Sequence, residues 1–307
     1  MRLPFRLERM PTLLVAACCL FALPHLPSDV SAGEPAAAPD IPKATGEAAK
    51  AGPPGRTAKL AELAPANLGL RVNERLVYDI RINAVPAGKA LLEVQGVEGE
   101  EKVPQAWQIR LTTRSTRAVS WFFYDVDDLA KSKIDTKGGF SRFYSMRRNE
   151  GEIKTRETIH FNYDIGSMEA VYERPRSDGQ LRAYKVPLTG KVLDPLAALY
   201  YLRALKLPDL QPDDVRYLPI CAEARVWNTA LKVKALERID VGYLRGRLCV
   251  VFEPEVEFRG LFERKGKMLV WVDVATGIPL KMAAETPIGL ADVVLSDAKG
   301  SPLPEKR

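Results

Sequence analysis

Four carboxylates, Asp125, Asp127, Asp128 and Asp135, crowd one short stretch of the chain with Lys131 and Lys133 between them. Two carboxyl groups held about 5 Å apart, or about 6.5–9.5 Å apart, can hydrolyse a glycosidic bond, so a glycan hydrolase would be built from these residues. The same interleaving of Lys and Asp on paired strands also makes cross-strand ion pairs on a wet face, and the pattern fits that plainer reading better. Nucleophilic catalysis has little to work with. His25 lies in a leader-like segment, which leaves His160, on the polar side of Thr158–Tyr163, as the one remaining imidazole. Gly-x-Ser-x-Gly, His-Glu-x-x-His, the Walker loop and the dinucleotide glycine fingerprint do not occur. The sequence therefore implies no metal and no cofactor.

Other residues could bind rather than react. Trp107, Trp121, Tyr200, Tyr201 and Trp271, with Arg203, could line a concave interior that takes an apolar or amphipathic molecule such as a lipid or lipid-linked glycan. Arg110, Arg114, Arg117, Arg142, Arg147, Arg148, Lys154 and Arg156 recur along the first half and could meet phosphates or an acidic glycan if they share a rim. Glu150, Glu152 and Glu157 intersperse them, which favours a role in solubility. Cys221 and Cys249 are the cysteines left beyond the leader. A bridge between them would contribute roughly 3–4 kcal/mol, with two buried thiols as the competing reading.

The elements that would position these groups are mostly strands. Leu76, Tyr78 and Ile80 alternate with Val77, Asp79 and Arg81, a turn follows over 84–88, and 90–94 resumes the pattern. Trp107, Ile109 and Leu111 face one way and Gln108, Arg110 and Thr112 the other, as in an antiparallel sheet with one wet face. Further strands are read at 122–126, 130–134, 140–148, 154–163, 168–172 and 181–186, and again at 215–220, 230–236, 247–252, 268–274, 279–284 and 292–295. Between the two sets lies one helix, about 194–206. Asp194 is suited to the N-cap, Pro195 to the first helical position, and Pro208 to the stop. The expected fold is mainly β: curved antiparallel sheets forming a barrel or half-barrel, with two β-rich halves joined by the central helix. No sequence repeat relates the halves.

Residues 1–32 read as a signal peptide. Arg2, Arg6 and Arg9 precede an apolar run, and Val30-Ser31-Ala32 suits cleavage. The run is too short for the roughly 20 residues of a spanning helix. Val15-Ala16-Ala17-Cys18 offers a lipobox as an alternative, so membrane association is expected only with a lipid on Cys18. Residues 33–66, rich in Ala, Pro, Gly and Lys, read as a disordered linker. The β-rich domain is placed at 67–298 and a tail at 299–307. The net charge of +6 is mild and interspersed, unlike the basic stripe of a nucleic-acid binder.

Several motifs together resemble the exported bacterial proteins of the domain-of-unknown-function 3108 family. They are Glu74-x-Leu76-x-Tyr78-x-Ile80, Gly88-x-Ala90-x-Leu92, the residues Asp128, Ser132, Ile134 and Asp135, and Asp194-Pro195-Leu196-x-x-Leu199-Tyr200-Tyr201-Leu202-Arg203. Gly242, Cys249, Pro254, Leu269-x-Trp271, Pro279 and Gly289 complete the set. The chain departs by carrying Asn73 where the family usually has glycine. The resemblance implies export, a β-rich fold and the helix, and no reaction. Three functions stand open: a periplasmic, non-enzymatic binder of a lipid-like ligand, an envelope assembly factor holding a protein partner, and a glycan hydrolase.

Overall fold

The computed structural model describes residue 63 and residues 68–99, 105–117, 125–164, 166–175, 179–255, 268–286 and 289–306. The expected leader lies outside these, as does the expected linker except for Leu63, which is buried against the core.

Fourteen strands form one antiparallel sheet. They are β1 (Arg75–Ile82), β2 (Val85–Glu98), β3 (Ala106–Ser115), β4 (Asp127–Asp135), β5 (Ser141–Glu150), β6 (Ile153–Asn162), β7 (Glu169–Pro175) and β8 (Leu181–Pro187), then β9 (Val215–Ala222), β10 (Arg225–Val241), β11 (Leu244–Glu255), β12 (Met268–Asp273), β13 (Pro279–Thr286) and β14 (Gly289–Lys299). Their order is β8-β7-β6-β5-β4-β3-β2-β1-β14-β13-β12-β11-β10-β9, so two meanders meet where β1 pairs β14, and β8 and β9 are the edges. The sheet curves without closing, a half-barrel. One face of each strand is buried at period two, as Leu76, Tyr78 and Ile80 show on β1.

The concave face is filled by helix α1 (Pro195–Tyr201), all seven residues of which are buried. A helix this short is marginal alone and is held by its surroundings. The expected helix of 194–206 is thus shorter: a 3-10 turn takes Leu202–Ala204, and Pro208 sits inside a second at Leu207–Asp209. The first hairpin turn is also tighter than expected. Asn83 and Ala84 alone make it, with φ of 48° and 67°, and Pro86 joins β2 at a bulge opposite Arg81. Beyond β14 the tail packs too, with Leu303 buried and Tyr243 donating to the Pro304 carbonyl at 2.8 Å.

The halves do repeat one another in structure, although the sequence hides it. Asn73 (φ 65°) and Asp213 (φ 70°) open the two units, and both donate a backbone N–H to a valine that returns its own N–H to the next residue, Val94 to Glu74 and Val233 to Asp214. Each first hairpin turns through two left-handed residues, Asn83-Ala84 and Glu223-Ala224, and each second strand bulges just after that valine. Later an aspartate closes a hairpin in each unit. Asp135 N–H donates to the Phe140 carbonyl, with Arg142 on the carboxylate; Asp273 N–H donates to the Ile278 carbonyl, with Arg247 on the carboxylate. These contacts rest on backbone geometry that many side chains satisfy, so little identity is required between the units.

Candidate functional site

Among the buried polar groupings of the described residues, three bear on the helix and on β4 and β5. The first holds the start of α1. Asp194 Oδ1 accepts the N–H groups of Leu196 and Ala197 at 2.8 and 2.9 Å, while Oδ2 accepts the hydroxyls of Ser132 (β4) and Ser141 (β5), each at 2.6 Å. Burial, the largest influence, pushes the Asp194 carboxyl up to about 6 despite these donors. Just before it, Val192 and Leu193 tie β5 to β9. Ser141 N–H donates to the Val192 carbonyl, Leu193 N–H to Pro219, and Cys221 N–H to Leu193.

The second grouping holds the end of the helical segment. Arg203 clamps Glu74 with both guanidinium ends, Nη2 to Oε1 at 2.6 Å and Nη1 to Oε2 at 3.0 Å, and the two side chains are 5% and 0% exposed. The guanidinium also lies over the Tyr200 ring, 5.0 Å from its centroid. Gly277 packs so closely here that a Cβ would stand 2.6 Å from Arg203 Cα.

The third grouping is the one with chemical character. On the concave side of β4 and β5, Asp128 and Glu150, each 1% exposed, interact with one another beside Arg148; Asp128 Oδ1 accepts the Asn149 N–H at 2.7 Å, while Asp128 Oδ2 and both Glu150 carboxylate oxygens are buried without a hydrogen-bond partner. Burial first, and then the neighbouring Asp128 charge, pushes Glu150 up to about 8; burial raises Asp128 as well. The pair therefore holds a proton at neutral pH. Nearby, Tyr172 donates to Glu157 at 2.8 Å, and burial together with Glu157 brings Glu223 up to about 7.

The residues singled out in the sequence do not converge. Tyr200, Tyr201 and Arg203 are packed into the core, and Trp107 is half-buried against it. Trp271 lies between inward Val270 and Val272, hence on the opposite face, where it donates to Glu237 at 2.8 Å under Lys281. Trp121 is outside the described residues. An apolar void of about 20 Å³ sits beside Leu199, lined by Tyr78, Leu92, Leu111 and Met282 among others.

The four aspartates separate likewise. Asp127 pairs with Arg114 at 3.0 Å, and Asp125 is exposed. Asp135 accepts Arg142 and the N–H groups of Lys137 and Gly138; burial would raise it, but these donors together hold it below its ordinary value. Only Asp128 meets another carboxylate, and that partner, Glu150, was not among the sequence candidates. A signal for it existed: Glu150 shares period-two parity with the apolar Tyr144 and Met146. Both carboxyls are buried at 1% exposure, whereas a glycosidase pair must meet its substrate and water.

The disulfide is not made, and both cysteines are free and buried. Cys221 lies opposite Val226 and Cys249 opposite Glu237, so they flank β10 at places on the order of 30 Å apart along the strand. A bridge needs Cα atoms within about 7 Å. Among the described residues no group of three or more His, Cys, Asp or Glu is placed to hold a metal ion, and no helix is long and apolar enough to cross a membrane.

The family described as a protein of unknown function, DUF3108, matches residues 77–296. The chain belongs to this family. No curated protein matches it. Within the DUF3108 chain, the motif residues turn out to serve the scaffold. Glu74 and Arg203 form the buried clamp, Tyr78 donates to the Pro279 carbonyl at 2.9 Å, and Ser132 binds Asp194. A Cβ at Gly242 would stand 2.7 Å from the Leu295 carbonyl oxygen. Asn73 takes the left-handed conformation at the position where glycine was expected, as asparagine can. The DUF3108 motifs thus describe how the helix is gripped by the sheet.

Proposed function

We propose that this DUF3108 protein is an exported, non-enzymatic cell-envelope protein that holds a protein partner at the free edge of its sheet. The observation carrying this is β8. Leu181–Lys185 are exposed on both faces, with Leu181 at 66%, and among the described residues the strand pairs with β7 alone. An edge of this kind can accept an added strand from a partner. A lipid-like ligand on the concave face has less support, since α1 fills that face and, among the described residues, the void beside Leu199 is about 20 Å³ against roughly 300 Å³ or more for a drug-sized site. Export rests on the leader-like residues 1–32, and a periplasmic location follows from it.

A photo-crosslinking amino acid placed at Ala183, with exposed Arg238 on β10 as a control position, tests the reading in cells that express the protein. The expected result is a discrete adduct from Ala183 that disappears when Leu181→Glu and Tyr184→Glu are added. No adduct from β8, together with a stoichiometric lipid in organic extracts of the purified protein, would return the lead to the lipid-binding reading. An N-terminus beginning at Gly33 would support export with cleavage.

A further inference from the structure

The basic residues of the first half gain a different meaning once the sheet sorts them by face. Arg148 and Glu150 point inward with Asp128, and Glu157 is drawn off by Tyr172. Arg142 is committed to Asp135. What remains on the convex face is a set of cations on four consecutive strands: Arg110 on β3, Lys131 on β4, Arg147 on β5 and Arg156 on β6. They alternate with buried neighbours such as Ile109, Leu111, Ala130, Ser132, Met146 and Arg148.

Their register is unusual. Arg110 stands directly across from Lys131 on one side and from Glu93 on the other, and Arg147 directly across from Arg156. Like charges opposite one another on paired strands destabilise a sheet. The acids near this face have other partners: Glu93 binds Arg75, Asp127 binds Arg114, Glu98 binds Lys133, and Glu173 accepts the Thr158 hydroxyl. Arg110 Nε is buried without a hydrogen-bond partner. Two half-exposed apolar side chains share the surface, Leu129 across from Arg147 and Phe143 across from Lys133. The four strands span roughly 14 Å at about 4.8 Å per strand.

We propose that the convex face of β3–β6 is a docking surface for a bilayer containing anionic phospholipid. The charge of the headgroups would relieve the facing cations. Leu129 and Phe143 supply apolar contact at the headgroup level, which a soluble polyanion would not use. A broad, slightly convex face suits a surface better than it suits a single small ligand. This inference uses a different part of the sheet from the β8 edge, so either can fail alone.

The test is flotation of the purified full-length protein with vesicles of phosphatidylcholine, with and without phosphatidylglycerol. Binding is expected with phosphatidylglycerol and lost as salt is raised. Near an anionic membrane each Lys or Arg contributes about fivefold in affinity, so the triple variant Lys131→Gln, Arg147→Gln, Arg156→Gln should bind roughly a hundredfold more weakly. Because a repulsive pair is removed, that variant should melt at or above the wild-type temperature, which separates lost binding from lost fold. A lipid on Cys18 would be common to both proteins and cannot produce the difference. Equal binding to neutral and anionic vesicles, equal binding by wild type and variant, or binding to soluble polyglutamate with none to vesicles would each overturn the proposal.

Discussion

Removing Arg203 alone should be far more damaging than removing it together with Glu74. In the variant Arg203→Met the carboxylate of Glu74, fully buried, loses the two hydrogen bonds of 2.6 and 3.0 Å that compensate its charge. An uncompensated buried charge of this kind costs about 3–5 kcal/mol. Loss of the guanidinium from the Tyr200 ring, 5.0 Å away, adds about 0.5–2 kcal/mol. Domains are commonly stable by only about 5–15 kcal/mol, so the single change removes a large share. In Glu74→Leu, Arg203→Met both charges leave together, and apolar packing replaces a pair that was costly to desolvate. The double variant should fall within about 1–2 kcal/mol of wild type, or exceed it. Urea unfolding of wild type, both single variants and the double variant closes the cycle, with the coupling read from the midpoints at unchanged m. If the double variant loses as much as the two singles added, Glu74 and Arg203 are uncoupled, and the cost of the single change is not that of a stranded buried charge.

Three further outcomes follow from the buried groups. Asp194→Ala removes a helix cap worth about 1 kcal/mol and orphans the Ser132 and Ser141 hydroxyls at about 1–3 kcal/mol, so a loss of 2 kcal/mol or more is expected in the same assay. Asp194 and Glu150, raised to about 6 and about 8, keep protons in the folded chain that the unfolded chain has already released. Their stabilising contribution is therefore complete below about pH 4, the unfolded carboxyl range, and declines as pH rises toward 8. Glu150→Gln should flatten the upper part of that decline, and a urea midpoint that instead rises over this range would contradict the assignment. Cys221 and Cys249, both pushed up to about 12 by burial, should resist a thiol reagent at neutral pH until the protein is unfolded. The intact mass should not change on reduction.

Fold class was legible because period-two alternation is a local property, visible on β1 and β3 from six or seven residues each. The helix was legible for a similar reason, since Asp194 and Pro195 carry out the capping their types suggest. How completely the sheet buries it was less so, because curvature is set by the register of all fourteen described strands together. The burial of the ligand candidates Tyr200 and Tyr201 has the same origin. An aromatic count cannot tell a lined cavity from a filled one, and Tyr200 and Tyr201 are the filling. Glu150 was misjudged by taking a charged residue as exposed when its parity on β5 already placed it inside.

The duplicated architecture explains why the interior is filled and why the sheet stays open. β1 begins after Glu74 and β9 after Asp214, matched positions of the two units, but Glu74 receives a buried arginine from the segment between the units, whereas Asp214 has only its exposed neighbour Arg216, at 3.7 Å. Asp214 also accepts the Gln211 N–H at 3.1 Å near the surface. The difference comes from the segment between the units, which supplies both Arg203 and the strand-like Val192–Leu193. In a closed ring the last strand of the first unit, β6, would pair β9 as β14 pairs β1. Here β7 takes the edge of β6, and Leu193 lies parallel to Ile220 on the outer side of β9. The connecting segment thus occupies the place where closure would occur and sends its helix into the space a closed barrel would have enclosed. Both proposed contacts accordingly lie on its outside: the outer edge of β8, which this break in symmetry creates, and the convex face of the first unit.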